Sequence, residues 1–591
     1  MARVVGFVAA LLLAACATPA PRPVGQAPAS EAAAAVVGGA YDYDVLIKGG
    51  TIYDGSGGKP YVADIAVEDG RISAVYPRLK GDARVEIDAR GKAVAPGFIN
   101  MLSWATDNLL VDGRGLSDLK QGVTLEVMGE GSSMGPLTEA MKRLGTQRQG
   151  DIKYDIDWTT LDEYLRRLER QGVAPNVASM VGASTVREYV LGEGDVDPTP
   201  EQLARMKALV ASAMEDGALG VGSALIYAPG SYAEIDELAA LAGEAGRCGG
   251  IYTSHLRYES DRLLDGLDEL IEISRRSGTP AEIYHLKQAG KANWGKLDSA
   301  IARIEAARAR GQRITANMYT YTAGSTGLDA AMPPWVQAGG REAWIGRLKD
   351  PATRVRVIAE IRDPNAGYEN LYRHAGAEGT MLVGFKNPAL KPLIGRTLAD
   401  VARERGVSPE DAAIDLVIED GTRVQVVYFL MSEDNVRRQT ALPWMSFGSD
   451  ASAQAPEGVF LLSSTHPRAY GNFARLLGRY VREEKALSLA EAVRKLTSLP
   501  AANLGLKERG RLMPGWYADI VVFDPRTVAD RATYEDPRQF AVGVEHVIVN
   551  GGVALRNGEP TGTLSGQVVR GRAWKGWENG GCRASAADWS W

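Results

Sequence analysis

The feature that most constrains the fold is a repeated alternation of short apolar strands with amphipathic helices. "GIYTSHLR" (250–257) precedes "DRLLDGLDELIEISRRSG" (261–278), and "AEIYHLKQAG" (281–290) precedes "KLDSAIARIEAARARG" (296–311). "VQVVYFLM" (424–431) and "WMSFGSD" (444–450) continue the series of strands. Such alternation indicates a parallel sheet, and about seven or eight units predict a closed (β/α)8 barrel, a TIM-like α/β fold. An open doubly wound sheet stays as the alternative, although no Gly-x-Gly-x-x-Gly sequence follows the first barrel-like strand.

Both ends of the folded chain are rich in strands and turns. Residues 41–96 contain three strand patterns broken by pairs such as Asp69-Gly70, and residues 509–570 return to the same pattern. These two segments could pair into one small β module. The barrel is predicted over 97–508, with a polar, helix-rich insertion at about 333–422 that would cover its mouth. Residues 571–591 are left as a C-terminal tail.

The N-terminus reads as an export signal. Arg3 precedes a short apolar run over 4–13, which is too short to span a bilayer. The following Leu13-Ala14-Ala15-Cys16 resembles the bacterial lipobox, in which the cysteine is lipidated. We therefore expect a lipoprotein signal peptide over 1–16, a flexible tether over 17–40 and a location on the periplasmic face of the outer membrane. An ordinary signal peptide is the alternative.

Composition excludes several classes of function. The net charge is −6 and no long Lys/Arg run occurs, so nucleic acid is a poor candidate partner. After Cys16 the only cysteines are Cys248 and Cys582, which are too few for a Cys₄ zinc site. The spacing of these two cysteines neither supports nor excludes a disulfide. The sequence gives no indication of an oligomeric state.

Two of the five histidines occupy equivalent positions. His255 and His285 lie near the C-terminal ends of consecutive predicted strands, at the rim where barrel enzymes place catalytic groups. Imidazole nitrogens there suit zinc, although one buried histidine alone could be a core residue.

Two acidic residues also end predicted strands. Asp450 closes "WMSFGSD" and is either a helix cap or a general base beside a metal. Glu130 lies between Gly129 and Gly131, which let the backbone bend, and is either a turn residue or a metal ligand.

Side chains two residues apart on a strand share a face, so further groups are expected near the metal. Lys287 follows His285, Arg257 follows His255, and Tyr319 and Tyr321 form another pair. These groups could hold a substrate carboxylate, with Arg468 in "STHPRAYGNF" as a further anion-binding candidate. The alternative for the cations is ion pairing at the rim.

Taken together, the motifs resemble the amidohydrolase superfamily over about residues 41–570. "VLIKGGTIYDGSG", "VAPGFIN", "IYTSHLR", "YHLK" and "GSD" carry the resemblance. The N-acyl-D-amino-acid deacylases (D-aminoacylases) are the most similar branch, through "SALIYAPGSYA", "NMYTYTAG" and "HPRAYGNFARLLGRYV". The resemblance implies a distorted (β/α)8 barrel, a β-sandwich built from both chain ends, and metal-dependent hydrolysis of an amide. It also adds Tyr227 as a substrate contact.

The sequence departs from the family pattern at the metal site. The family's His-x-His pair is replaced by Leu102 and Trp104, and the bridging cysteine of deacylases is absent beside Glu130. The remaining Glu130, His255 and His285 are similar to the single-metal set of some N-acetylglucosamine-6-phosphate deacetylases. Where deacylases often read Val-Gly-His-Gly, this chain reads Val181-Gly182-Ala183-Ser184, which weakens the substrate assignment.

The resemblance implies a single-zinc deacylase of N-acyl-D-amino acids. Glu130, His255 and His285 would bind one Zn²⁺ (or another divalent metal), with Asp450 as the base for a metal-bound water and Trp104 filling the lost metal position. Two alternatives stay open: a peptidase or dipeptidase for D-residue or cell-wall-derived peptides, and a metal-free binding lipoprotein. The acyl group, side chain and hand of the substrate are not determined by the sequence.

Overall fold

The computed structural model describes residues 41–582. The predicted signal peptide and tether lie outside the described residues, as does 583–591 of the predicted tail. Within the described chain, no helix has the length and apolar character needed to cross a bilayer.

The strands, numbered in chain order, are β1 Tyr43–Ile52, β2 Tyr61–Glu68, β3 Arg71–Tyr76, β4 Ala83–Asp88, β5 Ala93–Pro96, β6 Phe98–Asn100, β7 Val123–Met128, β8 Asn176–Ser179, β9 Val181–Gly182, β10 Gly220–Ala224, β11 Ile251–His255, β12 Ala281–Ile283, β13 Ile314–Met318, β14 Ala323–Gly327, β15 Thr380–Gly384, β16 Gln425–Phe429, β17 Met445–Phe447, β18 Ile520–Phe523, β19 Val544–Val549, β20 Gly552–Arg556 and β21 Glu559–Pro560.

The α-helices are α1 Asn108–Val111, α2 Leu116–Leu119, α3 Glu139–Arg148, α4 Leu161–Gln171, α5 Ala183–Leu191, α6 Pro200–Asp216, α7 Ile235–Arg247, α8 Leu263–Ser277, α9 Leu297–Ala309, α10 Pro334–Gln337, α11 Arg341–Leu348, α12 Pro351–Arg362, α13 Leu371–Ala375, α14 Leu398–Arg405, α15 Pro409–Asp420, α16 Glu433–Thr440, α17 Arg468–Arg475, α18 Leu489–Leu496 and α19 Ser498–Leu504. Helix α17 continues as a π-helix over Leu476–Glu483.

The predicted (β/α)8 barrel is confirmed. One parallel sheet has the order β17-β13-β12-β11-β10-β9, and a second has the order β6-β7-β8. Strands β8 and β9 form one interrupted strand, which gives eight positions around the barrel. The ring closes where the Met101 N–H donates to the Phe447 carbonyl (3.1 Å), beside a parallel bridge between Ser103 and Ala451.

Helix α6 illustrates how local sequence determines where a helix on the outside of the barrel begins, ends and packs. Thr199 accepts a hydrogen bond from the Gln202 N–H in a capping box, and Pro200 occupies the first turn, where no N–H is needed. The helix ends at Gly217, whose φ of 110° suits a residue without a Cβ. The buried face at Met206, Val210, Ala213 and Met214 has the spacing of one helical stripe.

The two chain ends form one β module. Hydrogen bonding runs continuously through a nine-stranded sheet, from β21 through β18 to β5 and on to β1, β2 and β3. Strand β18 from the C-terminal part pairs with β5 from the N-terminal part. The isoleucines and valines on this sheet pack into a core of their own, including Ile47, Ile65 and Ile520.

The segment between β13 and β17 forms a subdomain over the barrel mouth. It has an antiparallel sheet in the order β14-β16-β15 and its own core, which includes Trp344, Leu382 and Val426. The predicted bounds of about 333–422 omit β14, which is short and rich in glycine, and β16, whose apolar sequence resembles a barrel strand. "VQVVYFLM" therefore belongs to this subdomain and not to the barrel.

The C-terminal segment is fixed to the outside of the barrel. The Gly571 N–H donates to the Gly217 carbonyl (2.9 Å), and Arg570 pairs with Asp162 (2.6 Å). Cys248, at the end of α7, forms a disulfide with Cys582. The pairing that the sequence left open therefore joins residues 334 positions apart.

A buried polar network lies where β6 meets the end of β17. The Asn100 side-chain amide donates to Asp118 (3.0 Å), Glu126 (2.9 Å) and the Ser449 hydroxyl (2.8 Å). The Ser449 N–H donates back to the Asn100 side chain (2.8 Å), which fixes the backbone just before Asp450. Burial, and then the charge of Glu126, raise the pKa of Asp118, and burial raises the pKa of Glu126.

This carboxyl pair predicts a pH dependence of stability. Because its pKa values are raised in the folded state, the native chain retains a proton that the unfolded chain releases above about pH 4. The free energy of unfolding should therefore fall as pH rises, by up to about 1.4 kcal/mol per pH unit. In Asp118→Asn the side-chain amide can donate an N–H to Glu126 without binding the extra proton. The free energy of unfolding of this variant should therefore depend less steeply on pH. Urea unfolding between about pH 5 and pH 8 measures it.

Asp236→Asn is the matched control, since Asp236 is 88% exposed. An unchanged slope in Asp118→Asn, or an equal change in Asp236→Asn, would contradict this account of the network.

Candidate metal centre and active site

Three predicted ligands converge at the C-terminal ends of the barrel strands. Glu130 follows β7, His255 ends β11 and His285 follows β12. Oε1 of Glu130 lies 3.1 Å from Nδ1 of His255 and 2.8 Å from Nε2 of His285. The three residues are at most 4% exposed, and their ligand atoms lie within 4.8 Å of one another. One ion could therefore bind all three.

The backbone around these ligands adopts conformations that side chains disfavour. Gly129 and Gly131 have φ values of 104° and 69° on either side of Glu130. A Cβ at Gly129 would collide with the Met180 carbonyl oxygen, so the tight bend requires glycine there. His285 and Asp450 are non-glycine residues with positive φ, 35° and 50°. Strain of this kind is typical of functional sites.

The ligands form a compensated cluster of buried charge. Burial would raise the pKa of Glu130, but His285 and His255 outweigh it and hold that pKa below its usual range. Burial and Lys287 lower the pKa of His285, yet the carboxylates of Glu130 and Glu259 raise it to about 9. Burial lowers the pKa of His255, which favours the neutral imidazole. Two imidazoles and a carboxylate are a donor set that fits zinc, and three protein ligands are typical of catalytic sites.

Glu259 is a functional residue that sequence reasoning missed. Its carboxylate accepts from the Lys287 ammonium (2.6 Å) and lies 3.2 Å from Nδ1 of His285 and 3.4 Å from Nε2 of His255. Carboxylates behind metal-binding imidazoles fix the ring orientation. The sequence signal that could have identified Glu259 is an acidic residue four positions after a histidine that ends a strand. Lys287 also lies 2.8 Å from Nδ1 of His285, so its ammonium supports this ligand set.

Trp104 lies between the two carboxylates of the site. Its indole Nε1–H donates both to Oε2 of Glu130 (3.0 Å) and to Oδ1 of Asp450 (3.1 Å). A donor between two carboxylates reduces their repulsion in a buried site. Leu102 is buried, and its backbone carbonyl accepts from the Asp450 N–H (2.9 Å). Leu102 and Trp104 therefore help to hold Asp450 and Glu130 in place and offer no metal ligand.

Asp450 faces a cation on its other side. Oδ2 of Asp450 lies 2.9 Å from the guanidinium of Arg468, which also stacks 4.5 Å from the Tyr319 ring. Burial raises the pKa of Asp450, Arg468 lowers it and Glu130 raises it again, with a net rise. A carboxylate with a raised pKa is suited to accepting a proton. Arg468 and Tyr319 line the same side of the site.

Tyr227 connects the centre to the subdomain. Its ring lies 5.2 Å from that of His255, and the guanidinium of Arg423 lies 4.7 Å from its centre. Glu369, also from the subdomain, accepts a hydrogen bond from the Glu259 N–H (3.0 Å). The predicted insertion therefore contacts both the rim and the support of the ligands.

Two predicted substrate contacts are not brought to the centre. Arg257 binds Glu269 (2.9 Å) and the backbone carbonyls of Ser231 and Ala233, because β11 ends at His255 and the strand alternation stops there. Tyr321 donates its hydroxyl to Asp530 (3.0 Å). Both side chains serve the surrounding structure.

Sequence and structure comparisons place these features among known proteins. Residues 85–554 match the model of an amidohydrolase family. An N-acyl-D-glutamate deacylase of Alcaligenes xylosoxydans xylosoxydans is 33% identical over 89% of this chain and 96% of its own length. A D-aminoacylase of the same organism is 33% identical over 89% of this chain and 97% of its own length.

Two solved structures are similar along nearly their full length. A D-aminoacylase has a TM-score of 0.74 and 32% identity, covering 89% of this chain and 100% of its own. An N-acyl-D-glutamate deacylase from Bordetella bronchiseptica, complexed with zinc and a phosphonate mimic of the tetrahedral intermediate, has a TM-score of 0.73 and 32% identity, covering 89% of this chain and 99% of its own.

The Trp104 contacts predict a measurable cost. Trp104→Phe keeps the ring but removes the N–H, which leaves Glu130 and Asp450 facing each other without a shared donor. Hydrogen bonds to charged groups contribute about 1.5–3 kcal/mol. We therefore expect kcat/KM for the amide substrate to fall about tenfold to hundredfold in a steady-state assay.

Trp294→Phe is the control, because the Trp294 Nε1–H donates to the Leu430 carbonyl (2.9 Å), away from the ligands. Equal activity in Trp104→Phe and wild type would show that the shared donor has no role.

Proposed function

The chain belongs to the amidohydrolase family, and we propose that it hydrolyses the amide bond of N-acyl-D-amino acids with one divalent metal held by Glu130, His255 and His285. The observation that carries this proposal is the buried ligand set with Asp450 and Arg468 directly beside it. One relative is an N-acyl-D-glutamate deacylase and the other is a D-aminoacylase, and both names support the substrate class.

Glu130, His255 and His285 would hold the divalent metal, with zinc the best candidate, and the bound metal would supply Lewis-acid polarisation of the amide carbonyl and a lower pKa of water. Asp450 accepts the proton of the attacking water and later donates it to the leaving amine nitrogen. Trp104 and Arg468 each hold one oxygen of Asp450, and each oxygen keeps a lone pair for the proton. Glu259 and Lys287 hold the His285 ring in place.

Arg468 and Tyr319 are the groups that would bind the amino-acid carboxylate. Arg468 is 3% exposed at the barrel mouth, and its guanidinium presents donors in a fixed plane. Tyr319 is buried, and its hydroxyl has no hydrogen-bond partner among the described residues. Tyr227 would form the opposite wall of the substrate site, next to His255.

The single-metal assignment rests on Trp104 and Leu102. Neither offers a ligand where the family pattern has histidines, and the Trp104 ring lies against Asp450 and Glu130. A similar D-aminoacylase structure (TM-score 0.74, 32% identity, 89% of this chain and 100% of its own) concerns one-metal activation and second-metal attenuation in that enzyme's binuclear centre. One metal is therefore compatible with catalysis in a similar scaffold.

The other functions are less well supported. A peptidase for D-residue peptides would use the same centre, but both deacylase relatives cover nearly the whole chain. A metal-free binding protein has no need for three converging ligands with a supporting Glu259.

Activity assays test the proposal directly. Zinc-loaded protein should release the free amino acid from N-acetyl-D-glutamate, N-acetyl-D-aspartate or N-acetyl-D-methionine faster than from the L-enantiomers. Asp450→Asn keeps the shape of the side chain but loses the base, so kcat should fall about 10²–10⁴-fold. Metal content, measured alongside, should be unchanged in this variant, because Asp450 is not one of the three proposed ligands.

Turnover of D-dipeptides without turnover of any N-acyl-D-amino acid would contradict the deacylase proposal and favour the peptidase. Full activity in Asp450→Asn would remove the proposed base.

We also propose that the chain is exported and tethered through a lipidated Cys16. The Leu13-Ala14-Ala15-Cys16 motif supports this, and the disulfide between Cys248 and Cys582 is typical of oxidising compartments. The proposed location is the periplasmic face of the outer membrane.

Metabolic labelling tests the tether. The full chain, expressed with its own N-terminus in a Gram-negative host, should incorporate labelled palmitate. Cys16→Ser should lose the label because no thiol remains for the lipid, whereas the control Cys248→Ser should keep it. An unlabelled wild-type chain would mean that the motif belongs to an ordinary signal peptide.

A further inference from the structure

His466 is a buried histidine two residues before Arg468, in the loop that leads into α17. Its Nε2 donates to the Ala323 carbonyl at the start of β14 (2.9 Å), and its Nδ1 accepts a hydrogen bond from the Arg468 N–H (2.9 Å). Because a carbonyl oxygen can only accept, the ring hydrogen is on Nε2, which leaves Nδ1 as the acceptor. Both ring nitrogens are therefore bound to backbone groups.

The surroundings keep this ring neutral and in one orientation. Burial, and then the charge of Arg468, lower the pKa of His466 well below its ordinary value. The rings of Tyr534 and Tyr321 pack against the imidazole with centroid distances of 5.2 and 5.6 Å, and both are nearly perpendicular to it. Edge-to-face packing of this kind is a favourable arrangement of aromatic rings. The ring therefore presents the same acceptor atom, Nδ1, to the Arg468 N–H.

Helix α17 depends on this acceptor because its own cap residue supplies none. The helix begins at Arg468, and the preceding Pro467 makes no side-chain hydrogen bond to it. The first N–H groups of a helix have no acceptor within the helix. His466 binds the first of them, that of Arg468, and so fixes the backbone from which the guanidinium extends.

The guanidinium held in this way faces the active site. One of its nitrogens lies 2.9 Å from Oδ2 of Asp450, and its central carbon lies 4.5 Å from the centre of the Tyr319 ring. A second nitrogen lies 3.4 Å from the Ser325 carbonyl. The buried Nε has no hydrogen-bond partner among the described residues. Arg468 therefore keeps a donor for a ligand, and the direction of its side chain depends on the backbone that His466 holds.

We propose that His466 is a positioning residue for the substrate carboxylate. It holds the Arg468 backbone so that the guanidinium reaches both Asp450 and the carboxylate of the N-acyl amino acid. His466 acts through Arg468 and not by contact with the amide bond. The inference rests on the proposed function, in which Arg468 binds that carboxylate. A histidine that only stabilised the start of α17 would affect all substrates equally.

Two substrates that differ only at the carboxylate test the inference. N-acetyl-D-methionine carries the carboxylate, whereas N-acetyl-D-methioninamide has a neutral carboxamide of nearly the same shape. The ratio of their kcat/KM values, measured by acetate release from the zinc-loaded protein, reports recognition of the carboxylate. A loss of folded protein lowers both values and leaves the ratio unchanged.

His466→Leu and His466→Asn form a matched pair of variants. Both lose the hydrogen bond to the Ala323 carbonyl, but the side-chain oxygen of the asparagine can replace Nδ1 and accept from the Arg468 N–H. We expect wild type to prefer the acid over the carboxamide by about tenfold or more, because the guanidinium binds a charged group. This preference should fall by about fivefold or more in His466→Leu and should be largely retained in His466→Asn.

His546→Leu is the control. His546 is also a buried histidine whose Nδ1 accepts a backbone N–H, that of Asn557 (3.4 Å), but it lies on β19 in the β module. The ratio should keep its wild-type value in this variant.

The outcomes separate the inference from the proposed function. A wild-type ratio in His466→Leu, or an equal fall in His466→Leu and His466→Asn, would overturn the inference and leave the deacylase proposal intact. Equal turnover of the acid and the carboxamide by wild type would contradict the role of Arg468 in the proposed function, and turnover of neither would contradict that function itself. Either result would overturn the inference as well.

Discussion

The site depends on one buried carboxylate, Glu130, whose charge must be compensated on every side. His255 and His285 face one of its oxygens, and the Trp104 indole N–H binds the other. A buried carboxylate without such partners would cost several kcal/mol or take up a proton. The glycines on either side of Glu130, the end of β11 and the left-handed backbone at His285 all serve to bring these partners together.

Leu102 and Trp104 support the site and offer it no metal ligand. Trp104 does not bind a cation, but its N–H joins the remaining metal ligand to the proposed base. Asn100, two residues before Leu102, binds Ser449 and so holds the base from the backbone side. Asn100, Leu102 and Trp104 thus support Asp450 from the same side.

The sequence was sufficient for the barrel and for the convergence of Glu130, His255 and His285, because each has a local signal. Strand and helix patterns alternate, and each predicted ligand lies at or just past the end of an apolar strand. Contacts that depend on tertiary geometry were harder to predict from the sequence. Arg257 was expected at the site, but the strand alternation stops at His255. Glu259 was missed because only the fold brings it behind both imidazoles. The sequence of β16 resembles a barrel strand because apolarity alone does not specify the partner strand.

The metal content of the purified protein, measured by elemental analysis, tests the central claim most directly. The account predicts about one divalent metal per chain in wild type and almost none in Glu130→Ala, because the carboxylate shared by both imidazoles is lost. Glu369→Gln is the control: this buried side chain contacts the Glu259 backbone but no ligand, and about one metal per chain should remain. About two metals per chain in wild type, or full occupancy in Glu130→Ala, would contradict the single centre at Glu130, His255 and His285.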